Sequence, residues 1–249
     1  MKKYIYITIF VFLLGGLYFH ARASRNQNAM DFETNSTQYL SLTDTAALSP
    51  GPDDWTISML IKYESNNVFR YLFENVGSVS NNHVYLALTT TGFIAAKMAD
   101  AQDDKVEETG VIPVKPGKWY HVSLSKRGTV VYSCVDGNTN FSTGNSLIGA
   151  ITLTAGTALN IAAATGASTF DGMIDEVRIY KSAIPCEAQK GTMRRELGTS
   201  TDTSINLQGY WKFNDDLSDS SGKGNTATNN NSAVFTTEIP FGHEMFMFQ

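Results

Sequence analysis

At 249 residues, the chain is long enough to bury a core without help from metals or disulfides. Its 24 acidic against 19 basic residues give a net charge of -5 with no basic run, which excludes a nucleic-acid binder and offers nothing to an anionic membrane surface. Two cysteines, Cys134 and Cys186, are too few for a disulfide-built scaffold. Pairing and burial as free thiols are both open, because a bond depends on a Cα separation that sequence does not give.

The chain opens with Met1-Lys2-Lys3, an apolar run from Tyr4 to Phe19, and Ala21-Arg22-Ala23, the small-x-small shape of a signal-peptidase site. The run is short against the ~20 residues of a membrane span, so residues 1–23 are predicted to be a secretory signal rather than a retained anchor. No cysteine follows the run, which argues against a lipoprotein anchor. Cleavage near Ala23 would leave a single domain over 24–249 with 16 basic against 24 acidic residues. That domain is expected to be secreted, periplasmic or at the cell surface, with no transmembrane segment.

The pattern after the signal is all-β. Trp55, Ile57, Met59, Ile61 and Tyr63 alternate with Thr56, Ser58, Leu60 and Lys62, and Phe69, Tyr71 and Phe73 alternate with Arg70, Leu72 and Glu74. Further strands are predicted over Val84 to Thr89, Gly92 to Lys97, Trp119 to Lys126, Thr129 to Asp136, Ala158 to Ala163, Met173 to Tyr180 and Gly209 to Phe213. Pro116-Gly117, Asp136-Gly137-Asn138, Asp171-Gly172 and Ser221-Gly222 supply turns. Many short, evenly spaced strands predict a two-sheet antiparallel jelly-roll sandwich with at most one short helix. That helix is expected over Ile184 to Leu197, capped by Ser182, with Pro185 in its first turn and Gly198 closing it. No internal repeat or linker divides the chain, and the tail from Gly242 reads as loose.

Three segments resemble laminin-G-like domains of the concanavalin-A-like lectin/glucanase superfamily. They are Gly117-Lys118-Trp119-Tyr120-His121-Val122 with Val135-Asp136-Gly137-Asn138, then Phe170-Asp171-Gly172-Met173-Ile174-Asp175-Glu176-Val177-Arg178-Ile179-Tyr180, then Gly209-Tyr210-Trp211-Lys212-Phe213 with Asp219-Ser220-Ser221-Gly222-Lys223-Gly224-Asn225. Met30-Asp31-Phe32 to Leu42 and Trp55-Thr56-Ile57-Ser58 fit the opening strands of the same pattern. The third segment often precedes the others in such domains, whereas here it closes the chain. The resemblance implies a sandwich that recognises an extracellular glycan or protein, with calcium frequent and catalysis uncommon.

Strict alternation places Asp175 on one strand face with Val177 and Ile179. A carboxylate at the core edge requires a partner. Calcium, drawing on Asp175, Asp219 and Asn225, is one candidate, to which the family resemblance adds weight. The plainer reading has Asp175 accepting backbone N–H bonds and Asp219 shaping a turn. Trp55, Trp119 and Trp211 are expected in the core. Phe69, Tyr71, Tyr85 and Phe93 are the candidate aromatic platforms for a ligand, against ordinary packing, and the loops Ser65-Asn66-Asn67 and Asn81-Asn82-His83 could contact hydroxyls or be solvated turns.

For catalysis the chain offers no residues. The carboxylate array of related sandwich glycosidases is missing, Asp103-Asp104 and Glu107-Glu108 read as a solvated loop, and His83, His121 and His243 are too scattered for zinc. The expected function is therefore a secreted, non-catalytic recognition domain, glycan-binding, with a structural calcium. A protein-interaction or adhesion module is the alternative, and a glycosidase or lyase with an unusual site is a third reading.

Overall fold

The computed structural model describes residues 28–240, apart from 44, 78–82, 100–104, 145–155, 165–167, 194–196 and 198–205. The predicted signal over 1–23, the expected cleavage near Ala23, Asp103-Asp104, Asn81-Asn82 and the tail from Gly242 lie outside the described residues.

The first strands are β1 (Ala29–Phe32), β2 (Tyr39–Leu42), β3 (Trp55–Tyr63), β4 (Arg70–Gly77), β5 (His83–Leu88), β6 (Phe93–Ala99) and β7 (Lys105–Pro113). There follow β8 (Tyr120–Arg127), β9 (Val130–Val135), β10 (Asn138–Gly144), β11 (Gly156–Ile161) and β12 (Gly172–Tyr180). A short helix α1 (Cys186–Gln189) precedes β13 (Leu207–Trp211), β14 (Thr228–Asn230) and β15 (Val234–Thr236). Two antiparallel sheets result. The eight-stranded sheet runs β10-β9-β8-β3-β12-β1-β15 with β13 also on β12, and the seven-stranded sheet runs β14-β2-β11-β4-β5-β6-β7. This is the two-sheet sandwich that the alternation predicts.

The core lies between the sheets. Ile57, Met59 and Ile61 from β3 and Val122 and Leu124 from β8 face Leu72, Phe73, Leu86 and Ile94 of the other sheet, all fully buried. Trp55 and Phe73 join the layers, their ring centroids 5.8 Å apart. Trp211 is buried in the same core, as expected, but Trp119 is only half buried and stands outside it. Truncating a side chain such as Ile61 here costs about 2–5 kcal/mol through lost transfer energy and an unfilled cavity.

Two bulges change which residues face the core. In β12 the register against β3 slips between Asp175↔Leu60 and Arg178↔Ser58, and Glu176 takes φ +52°. Ile174 and Val177 consequently both point into the core. Asp175 therefore does not share the face of Val177 and Ile179, as unbroken alternation had it. It lies buried on the outer face, opposite Leu60. The bulge coincides with a change of partner, since β1 pairs the strand up to Ile174 and β13 pairs it from Val177. Gly172 opens β12 at φ +132°, where a Cβ would come within 2.2 Å of the Lys62 carbonyl, so the strand can start here only on glycine.

A second bulge, between Tyr71 and Phe73 in β4, turns both Leu72 and Phe73 inward. The expected Phe69-Tyr71-Phe73 face is thus split, with Phe73 in the core. Among the described residues, the predicted helix over Ile184 to Leu197 is helical only in α1. Pro185 occupies its N-cap position, and Ser182, the expected cap, instead accepts a bond from Thr56 Oγ1 at its carbonyl. The segment is a strap held flat on the eight-stranded sheet by the Cys134–Cys186 disulfide, Cα–Cα 5.5 Å, and by Arg178, which donates to the Thr192 carbonyl at 3.0 Å. Finally, Glu107 and Glu108 lie in β7, not in a loop.

Candidate functional site

The outer face of the seven-stranded sheet carries a dense group of ligand-competent side chains. Because Leu72, Val84, Leu86, Ile94 and Met98 point inward, Tyr71, His83, Tyr85 and Lys97 on the same strands must point outward. Phe69, just before β4, closes over them, its ring centroid 5.4 Å from Tyr71 and 5.8 Å from Tyr85. Tyr71 and Tyr85 meet edge to face at 5.3 Å, and His83 contacts both. Offset and edge-on contacts of this kind add to simple burial and stiffen the cluster.

Polar groups interlock with the rings. Glu74, almost fully buried, bonds His83 Nε2 at 2.9 Å, and the Tyr85 hydroxyl donates to Glu107 at 2.9 Å. Across the sheet, Ser41, Asn160, Glu74, Tyr85, Lys97 and Glu107 stand in register. Ala87, opposite Tyr71, and Ala95, one strand further on, keep the adjacent floor low. Burial, then the charges of Glu74 and Glu107, push the Tyr71 hydroxyl above its ordinary range, so it remains a neutral donor. Burial and the bond to Glu107 do the same for Tyr85.

Three of the four predicted platform residues, Phe69, Tyr71 and Tyr85, are thus brought together. Phe93 lies at the far end of β6, half buried, and takes no part in the ring cluster. Sequence reasoning missed Glu74, Lys97, Glu107 and Asn160. The first two carry a signal, a polar residue at an alternating position of an apolar strand, whereas Glu107 sits in a run too polar to read as a strand. The loop Ser65-Asn66-Asn67 serves the fold: Ser65 donates to Asp171, Asn66 to the carbonyls of Thr89 and Thr90, and Asn67 accepts from Arg70.

The predicted metal residues are arranged otherwise than expected. Asp219 accepts on one oxygen from the N–H groups of Tyr210 (3.0 Å) and Ser221 (2.8 Å). Its other oxygen accepts from the N–H (3.0 Å) and side-chain amide (2.8 Å) of Asn225. The Asn225 carbonyl is taken by Trp211 Nε1 at 2.8 Å. Asp175 accepts the Glu176 N–H at 2.8 Å. Four donors aimed at one carboxylate are the surroundings of an anion, and Asp219 with Asn225 does not fit a calcium ion. Among the described residues, no three His, Cys, Asp or Glu side chains gather to hold a metal.

On the opposite sheet, the strap covers a buried polar layer. Glu176 pairs with Arg178, the Tyr210 hydroxyl donates to Glu176 at 2.5 Å, and the same hydroxyl accepts the Leu197 N–H at 3.1 Å. Burial opposes the charge on Arg178, but Glu176 and Tyr210 outweigh it and hold the guanidinium protonated. This layer is closed to solvent and braces the strap.

A family model described as the concanavalin A-like lectin/glucanases superfamily matches residues 34–187. No curated protein matches. Among solved structures, a candidate carbohydrate-binding protein of Bacteroides ovatus is similar at 16% identity and TM-score 0.68, over 89% of this chain and 63% of that one. This chain therefore spans less than two thirds of that protein. A heptameric SAP-like pentraxin of Limulus polyphemus is similar at 12% identity and TM-score 0.60, over 86% of this chain and 96% of that one. The CBM40 of a Ruminococcus gnavus IT-sialidase, bound to α2,3-sialyllactose, is similar at 14% identity and TM-score 0.52, over 68% and 100%. At these identities the likeness is one of fold.

Proposed function

The chain belongs to the concanavalin A-like lectin/glucanases superfamily, and from that premise we propose that it is a secreted, non-catalytic glycan-recognition domain. Its binding surface is the outer face of the seven-stranded sheet. The observation that carries this reading is the Phe69-Tyr71-His83-Tyr85 cluster with Glu74, Glu107 and Asn160 in the same rows. A sugar ring has apolar C–H faces and a polar hydroxyl rim, and a site for it places a few polar groups around aromatic ones. Phe69 and Tyr71 supply the contact area, and Asn160 and the carboxylates accept hydroxyl protons.

Binding without cleavage is supported by spacing. Glu74 and Glu107 are three strand steps apart, roughly 14 Å at the backbone, whereas a glycosidase holds its two carboxyls about 5 to 9.5 Å apart. Export is supported by the Cys134–Cys186 bond, since such bonds persist in oxidising compartments. Among the described residues no helix is long and apolar enough to cross a membrane.

The test is a glycan array with a matched protein pull-down, run on wild type, Tyr71→Ala and Phe69→Ala. Retention of at least one glycan, weakened by roughly tenfold or more in both variants with melting little changed, supports the reading. Protein capture with no glycan retained would replace it with the adhesion reading, and turnover of any polysaccharide would restore the enzyme.

A further inference from the structure

We propose that this face selects neutral glycans and rejects acidic ones, with Glu107 the principal discriminating residue. The inference rests on the glycan reading of the same face.

Charge and geometry carry it. The central row reads Glu74, Tyr85, Lys97, Glu107 from β4 to β7. Glu74 is committed to His83, so that His83, whatever its protonation, faces a carboxylate. Lys97 stands in register between Tyr85 and Glu107, and the Tyr85–Glu107 bond spans its strand. An incoming sugar carboxylate or sulfate would meet a row that carries two carboxylates against one ammonium.

The group best suited to an acidic sugar is also missing. A guanidinium reads a carboxylate through two parallel N–H bonds. Among the described residues, the arginine nearest this face is Arg70, at the start of β4. It is buried and spends its donors on Thr34, Thr169 and Asn67. The remaining polar groups are neutral: Ser41, Asn160, Tyr71 and Thr109. Hydroxyls can donate to the exposed Glu107, whereas a ligand carboxylate cannot.

The experiment uses matched pairs titrated against the full chain by calorimetry: lactose with sialyllactose, xylotetraose with its glucuronate-substituted form, and galactotetraose with tetragalacturonate. The expected result is that the neutral member of at least one pair binds roughly tenfold or more tighter than its acidic partner at low salt, the gap shrinking as salt rises. Glu107→Gln should narrow the gap at least threefold, while Glu187→Gln, an exposed change on the strap, should leave it untouched. An acidic member that binds as well as its neutral partner, or a gap unmoved by Glu107→Gln, overturns the inference and leaves the glycan reading standing. If no member of any pair binds and the array is also blank, the glycan reading fails and takes this inference with it.

Discussion

The carboxylate of Asp219 accepts both the main-chain N–H and the side-chain amide of Asn225, at 3.0 and 2.8 Å, and so ties residues 219–225 into one rigid loop against β13. Burial acts to raise its pKa, but hydrogen bonds from Ser221, Asn225 and Tyr210 outweigh this and hold it below the ordinary carboxylate value. Asp219→Ala is predicted to destabilise the fold by roughly 2–3 kcal/mol, because four donors lose their acceptor. A folded-state pKa below the unfolded one means that the stabilisation is present above the unfolded value of 3.8 and is lost as pH falls through the lower folded one. Thermal unfolding with excess calcium and with chelator should agree within about 1 °C, since an ion bound only to the folded state would raise the midpoint. A calcium-dependent rise of several degrees that disappears in Asp219→Ala would put the ion back at this loop.

The strap depends on its disulfide. Thiol titration under denaturant without reductant should detect no free sulfhydryl from Cys134 and Cys186. Replacing both by serine should cost up to about 4 kcal/mol by the chain-entropy argument for a sequence separation of 52. Denaturant midpoints of the double variant and of the reduced wild type give that number, and a change under about 0.5 kcal/mol would show that the bond constrains little.

Under the strap, the Glu176–Arg178 pair is expected to respond asymmetrically. Removing one member, as in Glu176→Gln or Arg178→Met, takes a buried, hydrogen-bonded counter-charge away from its partner and should cost roughly 3–5 kcal/mol. The double variant should cost less than the sum of the two. A double-mutant cycle by chemical denaturation reads the coupling directly, and strict additivity would place the two side chains in independent settings.

Asp31 supplies a pH prediction of the opposite sign. Burial, then the charges of Glu64, Glu33, Asp171 and Glu238, raise its pKa to about 6, and Oδ1 has no hydrogen-bond partner. A carboxyl whose folded pKa exceeds the unfolded 3.8 disfavours folding when ionised. Its penalty is absent below about pH 4, grows between there and about pH 6, and is complete at neutrality. Allowing for screening at this half-exposed position, Asp31→Asn should stabilise the protein by about 1 kcal/mol at pH 7 and by nothing at pH 4. The difference between the two melting-versus-pH curves isolates this group from the other carboxylates.

Much of the architecture was readable because alternation is the direct signature of a half-buried strand. Trp55 to Tyr63 is the clearest case, with every odd residue in the core. The strands that went unpredicted are ones where the signal is absent: β7 opens with charged side chains, β10 has Phe141 as its one large apolar residue, and β14 and β15 have only three residues each. Of the candidate site, Phe69, Tyr71 and Tyr85 were visible as aromatics on strands, but their meeting at one spot depends on the pairing of β4 with β5. The error over Asp175 has a single physical cause, since one extra residue at a bulge inverts the face of everything before it. No periodicity in the sequence marks that residue.

Glu176 also bears on how this domain can be engineered. Its backbone, at φ +52°, favours glycine or asparagine, while its side chain must be a carboxylate for Arg178 and Tyr210. Local and global preferences conflict at this position, a case of frustration kept because the interior enforces it. A substitution chosen for conformational ease would relax the main chain and take the paired carboxylate from a buried guanidinium, so this strained residue is one to keep.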